Sequence, residues 1–519
     1  MAAHVARLLI VGILLSLSDL AGAATLRYAP ESDALTLDPH GALVARTQMM
    51  QGWLYEGLVR FDKDMRCEPA LAESYGRTAP DTWRFDLRPA RFHDGTALTA
   101  DDVVFSIQRA LSQRSAVRVL FASIKEVRQI DEDTVDIITY APNPILDREL
   151  TMLFIVSRQW AEKNGAAEVA TVREGGYAAA NENGTGPFVL RSREAGTRSV
   201  LERNESWWDK PVGNVTELVM TPIAAEGTRV AALLSGAVDL IEPLPVQAVA
   251  QIEGTPGFAV IKRPEDRVVF LGIDVARDQL AGSTLKGNPL KDRQIRLALY
   301  QAIDVEALRT QVMRGLATPR ATLLVPGVEG YDPALDMRHA YDPAAAKELL
   351  VQAGYPNGFD LTIDCPNDRF AGDEQTCQAI AAMLTRIGVR ATPNVQPSAR
   401  FFPRLIGRQT SLFLAGWLVA TGDAYNPISA LLVTPGSGAG AQNIGGYSNP
   451  RLDELARAIA LEGDPVRRRA AIAEAMRIYK DDVIQIPLFQ PWLTWGARAG
   501  VEAIASPDNM MRPQWVTVR

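Results

Sequence analysis

Cysteine and histidine are scarce in this chain. Three cysteines and four histidines among 519 residues offer little material for a transition-metal centre. His40, His93 and His339 show no HxxxH or Cys/His spacing of the kind zinc requires. With Cys67, Cys365 and Cys377 the count is odd, so at most one internal disulfide forms and one thiol is left over. Basic runs are lacking as well. Lys and Arg number 54 against 61 Asp and Glu, a net charge of -7. The densest basic cluster, Arg467-Arg468-Arg469, opens a helix and reads as a solvated face. Nothing here neutralises a phosphate backbone, which argues against a nucleic-acid partner. There is no Gly-x-Ser-x-Gly elbow. The glycine-rich Gly436-Ser437-Gly438-Ala439-Gly440 lacks the Lys-Ser/Thr and following helix of a phosphate loop, and reads as a surface loop. Beyond residue 23 every apolar run is broken by charges, short of the about twenty residues a membrane span needs.

What is present is an ordinary globular composition, 47% hydrophobic and 22% charged, long enough for two or three cores. The first 23 residues stand apart. A short basic start (His4, Arg7), an apolar core from Leu8 to Leu17 and the small-residue end Ala21-Gly22-Ala23 have the layout of a cleaved signal peptide. Without a cysteine at the cleavage point a lipid anchor is not expected there. The mature protein is therefore expected to be soluble and periplasmic.

Strand and helix signals alternate along the rest, with no repeat and no low-complexity linker. Asp342-Pro343 supplies an N-cap and a first-turn proline, and Gly354 stops the helix. Asp464-Pro465 opens another, in which Ile472, Met476, Tyr479 and Val483 follow helical spacing. Ile295, Ala298, Leu299, Ala302 and Ile303 mark a third. Between them lie strand-like runs, among them Thr25–Tyr28, Val135–Thr139, Val268–Ile273, Leu412–Ala415 and Ile484–Leu488. This order fits a mixed α/β class, and the length calls for at least two domains. Cys365 and Cys377 are close enough in sequence to close a short loop in an oxidising compartment, although nothing in the spacing fixes their geometry.

The stretch Trp83–Leu111, WRFDLRPARFHDGTALTADDVVFSIQRAL, runs from a strand through a His-Asp-Gly turn into a helix. Thr99 caps that helix with Asp102 three residues on, a capping box. This order resembles the signature of the bacterial extracellular solute-binding proteins of family 5, the peptide- and nickel-type receptors of ABC importers. Further segments resemble the same family in order along the chain. They include Leu54-Tyr55-Glu56-Gly57-Leu58, Pro69-Ala70-Leu71-Ala72-Glu73-Ser74, Gly184-Thr185-Gly186-Pro187 and Arg203-Asn204-Glu205-Ser206-Trp207-Trp208. Gly236-Ala237-Val238-Asp239, Ala353-Gly354-Tyr355-Pro356 and Gly446-Tyr447-Ser448-Asn449-Pro450 extend the match.

The resemblance implies an α/β, two-lobed clamp of the periplasmic-binding-protein kind, with an extra subdomain in the first lobe. It places a signal peptide at 1–23, lobe I at 24–267 plus 490–519, and lobe II at 268–489. The two crossings would lie near Val268–Ile273 and Ile486–Pro491. It implies a monomeric binding protein that is not an enzyme, needs no cofactor, and passes a peptide or related small solute to an inner-membrane permease. In peptide-binding relatives three segments converge on the ligand, corresponding here to Ser32–Thr36, Gly416–Asn426 and Phe489–Trp492. The candidate ligand contacts are thus Ser32, Asp33, Ala34, Phe489, Gln490, Trp417 as an aromatic wall, Asp423 for a ligand amine, and Arg369 for a carboxylate.

Peptide binders of the family set the aspartate closer to the tryptophan than Asp423 is to Trp417. Each candidate also has an ordinary structural reading: Asp423 as a turn residue after Gly422, Arg369 as a solvated arginine ahead of a helix, Trp417 as core. A second function class is a secreted hydrolase of peptides or glycans using Asp94 and Asp102 as acid and base. Oligopeptide, dipeptide, glutathione-like, opine-like and metal-chelate ligands stay open within the receptor class. The mature protein is expected to begin at Ala24 or Thr25. Mass spectrometry of the exported protein checks this, and an intact Met1 would refute it.

Overall fold

The computed structural model describes residues 24–283, 285–436 and 439–519. The export segment expected at 1–23 lies outside them. One strand organises the molecule. Gln485–Arg498 is 14 residues long and buried along almost its whole length. Its first half pairs antiparallel with Arg267–Ile273, Val269 opposite Phe489. Its second half pairs with Phe258–Pro264, where Pro264 faces Trp492, and with Leu240–Glu242. Through this strand a 12-stranded mixed sheet runs without interruption.

On one side of it the order continues through Leu240–Glu242, Ala24–Pro30, Val215–Met220 and two further antiparallel strands. Ala24–Pro30 is parallel to both its neighbours, and Leu26, Tyr28 and Ala29 are fully buried. On the other side Arg267–Ile273 pairs antiparallel with Leu412–Leu418, which lies parallel to Asp360–Pro366. The chain passes between these halves at Glu265-Asp266, and again within the long strand at Gln490-Pro491. Backbone bonds cross-tie the two passages, Glu265 N to the Pro491 carbonyl at 3.0 Å among them.

A separate four-stranded antiparallel sheet is built from Ala72–Ala79, Thr82–Leu87, Ile124–Gln129 and Thr134–Thr139. The helix Ala100–Ala110 lays Val103, Ile107 and Ala110 on it in a core of its own. Its capping box forms: Thr99 N donates to Asp102 Oδ2 at 3.0 Å. Asp342 likewise accepts from Ala344 and Ala345 at the start of Pro343–Gln352, and Asp464 from Arg467 at the start of Pro465–Asp481. Val483, though on the same helical face, lies past that helix's end and is buried beside the next strand.

Several of the family-like motifs of the first half meet at one point. Gly184 and Gly186 press on the end of the helix Ala45–Leu54. A Cβ on Gly184 would sit 1.9 Å from the Leu54 carbonyl oxygen, so only glycine permits this approach. The buried Glu56 carboxylate accepts from Thr185 Oγ1 (3.0 Å), Trp207 Nε1 (3.1 Å) and Trp208 Nε1 (2.9 Å). Burial raises its pKa, and the two indoles, Arg60 and Thr185 oppose that rise. The His-Asp-Gly turn docks alongside. His93 Nδ1 is 2.7 Å from Glu182 Oε2 and its Nε2 is 3.0 Å from the Gly186 carbonyl oxygen. Burial works against the ring's charge, but the bond to Glu182 outweighs it and the pKa is raised.

Cys365 and Cys377 form a disulfide with Cα atoms 6.6 Å apart, and Cys67 is the free cysteine. Burial pushes the Cys67 thiol up to about 12. The bridge joins the end of strand Asp360–Pro366 to helix Asp373–Arg386 and brackets the loop that carries Arg369. Closing a loop of this length stabilises the fold by about 3 kcal/mol in the chain-entropy view. The double variant Cys365→Ala/Cys377→Ala is therefore expected to lose about that much in denaturant unfolding. An unchanged midpoint would show that the bridge contributes nothing to stability.

Candidate functional site

A cavity of about 440 Å³ opens where the long strand changes partners. One wall comes from Glu31, Arg46, Arg229, Pro491–Trp495 and Asn509, the other from Glu265, Arg267 and the loop 367–375. The walls thus belong to elements on opposite sides of the two chain passages. Charged side chains dominate, and most are already matched within the protein.

Arg46 holds the fully buried Glu242, with Nη1 to Oε2 at 2.7 Å and Nη2 to Oε1 at 3.1 Å. Tyr28 donates its hydroxyl to the same carboxylate. Burial opposes the charge on Arg46, but Glu242 outweighs it and raises the pKa. Arg229 is spent on the carbonyl oxygens of Pro243, Ile223 and Ala224. Arg267 pairs with Glu265 at 3.0 Å. Asp368 accepts from Ser398 N at 2.8 Å, and Asp373 from the backbone of Arg369 and Phe370.

Arg369 is different. Among the described residues its guanidinium has no ion pair, and its one ring contact is with Phe370, 5.4 Å from the centroid. Arg369 is an exposed residue; partial desolvation and the like charge of Arg267 lower its pKa, while Glu265 and Glu31 push the other way. Arg267 and Arg369 both lie over the Phe370 ring, 5.8 and 5.4 Å from its centroid, and a guanidinium without an anion there can receive a carboxylate. Glu31 is the complementary case. Its side chain is 51% exposed and touches Arg46 only at 3.6 Å, while that arginine is committed to Glu242.

A second, apolar cavity of about 170 Å³ lies next to the first, lined by Met49, Trp53, Trp207, Met511, Trp515 and Leu418 among others. The two share the helix Ala45–Leu54 and the loop 508–510 as walls.

Of the eight residues anticipated from sequence, Arg369 alone lines the charged cavity. Asp423, read as the partner of a ligand amine, is instead fully buried against Arg468. Nη1 meets Oδ2 and Nη2 meets Oδ1, both at 2.8 Å, and Tyr425 N donates to the same carboxylate. Trp417 is half-buried, donates Nε1 to Asn426 Oδ1 at 2.8 Å, and lines neither cavity. Asp33 is turned away by Arg193 and Gly196, which hold its Oδ2 at 2.9 and 2.8 Å. Ala34 and Phe489 are core, and Ser32 is exposed and lines neither cavity.

Gln490 is clasped, with Oε1 accepting from Arg320 and Nε2 donating to the Glu265 carbonyl at 2.8 Å. At or beside the expected segments Ser32–Thr36 and Phe489–Trp492 the cavity is lined by Glu31, Pro491 and Trp492, and no residue of Gly416–Asn426 lines it. Arg46 and Arg229 carried no local signal beyond a charge among apolar neighbours, and Arg267 none beyond a charge at the start of a strand.

The carboxylates considered for hydrolysis are occupied too. Asp102 accepts from Thr99 and from Arg158 N at 2.8 Å. Asp94 accepts from Thr96 N and Asn183 Nδ2, both at 2.9 Å. Each closes a cap or turn, and the hydrolase reading is not favoured. Among the described residues no helix is long and apolar enough to cross a membrane.

Removing one partner of a buried ion pair strands the other, at a cost of about 3–5 kcal/mol. Asp423→Asn is therefore expected to lower the thermal midpoint. A further Arg468→Met is expected to recover much of the loss, since a packed apolar side chain replaces a stranded charge. If Asp423→Asn melts like the parent and yet binds ligand poorly, the carboxylate belongs to the ligand and not to Arg468.

Comparison with known proteins agrees with this fold. Residues 66–439 match the family described as bacterial extracellular solute-binding proteins, family 5 Middle. The glutathione-binding protein GsiB of Pectobacterium atrosepticum is 26% identical over 471 residues, 88% of this chain and 85% of its own. The periplasmic binding protein DppA of Helicobacter pylori, solved with the peptide STSA, superposes with a TM-score of 0.79 at 23% identity, over 96% of this chain and 98% of that one. The substrate-binding protein CtaP of Listeria monocytogenes superposes with a TM-score of 0.83 at 21% identity, over 96% and 99%. A two-lobed α/β architecture with a charged cavity where its halves meet, and a family match across most of the sequence, lead to one assignment: the chain belongs to the bacterial extracellular solute-binding proteins of family 5.

Proposed function

We propose that this protein is the receptor of an ABC importer for a peptide-like solute that carries both an ammonium and a carboxylate group. It is exported, captures the solute outside the cytoplasmic membrane, and presents it to the permease. The lobes are residues 24–267 with 490–519, and residues 268–489. They close about Glu265-Asp266 and Gln490-Pro491, and ligand shifts the population toward the closed form by binding it more tightly. The observation that carries the ligand class is the unpaired guanidinium of Arg369 beside Arg267, in a cavity whose other wall offers the exposed carboxylate of Glu31. Arg369 takes the ligand carboxylate and Glu31 its ammonium. Glutathione, bound by the relative GsiB, and short peptides, one of which is bound by DppA, both have such groups.

A charge-assisted bond is worth about 1.5–3 kcal/mol. Arg369→Ala is therefore expected to weaken binding roughly ten- to a hundredfold in calorimetry with glutathione and a dipeptide panel. Arg267→Ala removes the like-charged neighbour and is expected to have a smaller effect. A folded Arg369→Ala protein that binds the panel as the parent does would overturn the assignment.

A further inference from the structure

The ring of Phe370 lines the charged cavity and lies against both arginines of the wall that carries Arg369. The guanidinium carbons of Arg369 and Arg267 are 5.4 and 5.8 Å from its centroid. Contact with an aromatic face takes none of a guanidinium's N–H donors, which stay free for an anion. Arg267 spends part of that capacity on Glu265 at 3.0 Å.

The ring itself is seated on Gly416. That residue lies in the strand Leu412–Leu418, opposite Val269. Its φ is not positive, so backbone conformation does not call for glycine here. Space does. A Cβ on Gly416 would stand 2.9 Å from Phe370 Cε1 and 3.0 Å from Cζ, closer than carbon atoms pack. The loop is fixed at its base as well. Asp373 accepts from the backbone N–H groups of Arg369 and Phe370 at 3.0 and 3.2 Å, and the Cys365–Cys377 bridge closes it. A long, exposed side chain thus stands against a short, rigid one whose place is set.

We propose that Phe370, seated on Gly416, is the positioning residue for Arg369, holding its guanidinium where the ligand carboxylate arrives. This role rests on the reading of Arg369 as the carboxylate partner and adds the residues that pre-organise it. An arginine already held in one place loses less rotamer freedom on binding, and the difference appears as affinity. The same role accounts for the glycine of the Gly416-Trp417 pair. Gly416 does not line the cavity and acts on it through the ring.

Alanylalanine and its C-terminal amide provide the test, since only the first brings a carboxylate. In calorimetry the parent is expected to bind the acid roughly tenfold or more tighter. Phe370→Leu removes the ring and Gly416→Ala displaces it. Each is expected to cut that preference about three- to tenfold while the affinity for the amide stays near the parent's. Phe370→Tyr keeps the ring and is expected to retain the preference.

A parent that binds acid and amide equally, or binds neither, overturns the carboxylate reading of Arg369, and the positioning role falls with it. A preference that survives in a folded Phe370→Leu protein or a folded Gly416→Ala protein overturns the positioning role and leaves that reading standing. An equal loss for both probes marks a merely structural role, and a Phe370→Tyr protein that behaves like Phe370→Leu shows that the ring is not what counts; either result also overturns the positioning role alone. Should Gly416→Ala fail to fold by circular dichroism, the comparison of Phe370→Leu with Phe370→Tyr decides.

Discussion

The charged cavity depends on the hydrogen bonding of one strand. Gln485–Arg498 gives its first half to Arg267–Ile273 and its second half to Phe258–Pro264 and Leu240–Glu242. Backbone ladders on both halves keep the two groups of elements in register, and the strand changes partners at Gln490-Pro491. The cavity sits at that change of partner because there the side chains of both halves face one another. Arg320, Gln490 and Glu265 clasp the same spot from the side.

Charge within the cleft is arranged by what is matched and what is left over. Arg46 with Glu242 and Arg267 with Glu265 are neutralised in place, and Arg229 is satisfied by three carbonyl oxygens. Such groups shape the walls and set their potential, but their bonds are already made. Arg369 and Glu31 have capacity to spare, and the proposed recognition of a charged solute rests on them.

The motifs that identify the family do different work. Leu54–Leu58, Gly184–Pro187, Arg203–Trp208 and the His-Asp-Gly turn converge on Glu56, Leu54 and Glu182, away from the charged cavity. They are legible in sequence because a buried carboxylate with three donors and a glycine against a carbonyl tolerate few replacements. Their clarity says how the first half is assembled and little about the ligand. The apolar cavity they border has no unmatched charge on Glu56 or Asp508, both of which are bonded within the protein.

Local chemistry was enough to determine the helix starts at Thr99, Asp342 and Asp464, the strands rich in β-branched and aromatic residues, and hence the α/β class. Caps, prolines and alternation act within a few residues and need no tertiary partner. The order of motifs likewise carried the family. Tertiary structure alone decided which polar side chains are free. Asp423 meets Arg468 across 45 residues, Asp33 meets Arg193 across 160, and Arg46 meets Glu242 across 196. A carboxylate in a loop looks the same in sequence whether it waits for a ligand or is held by a distant arginine. The difference lies in an ion pair that forms only when the chain is folded.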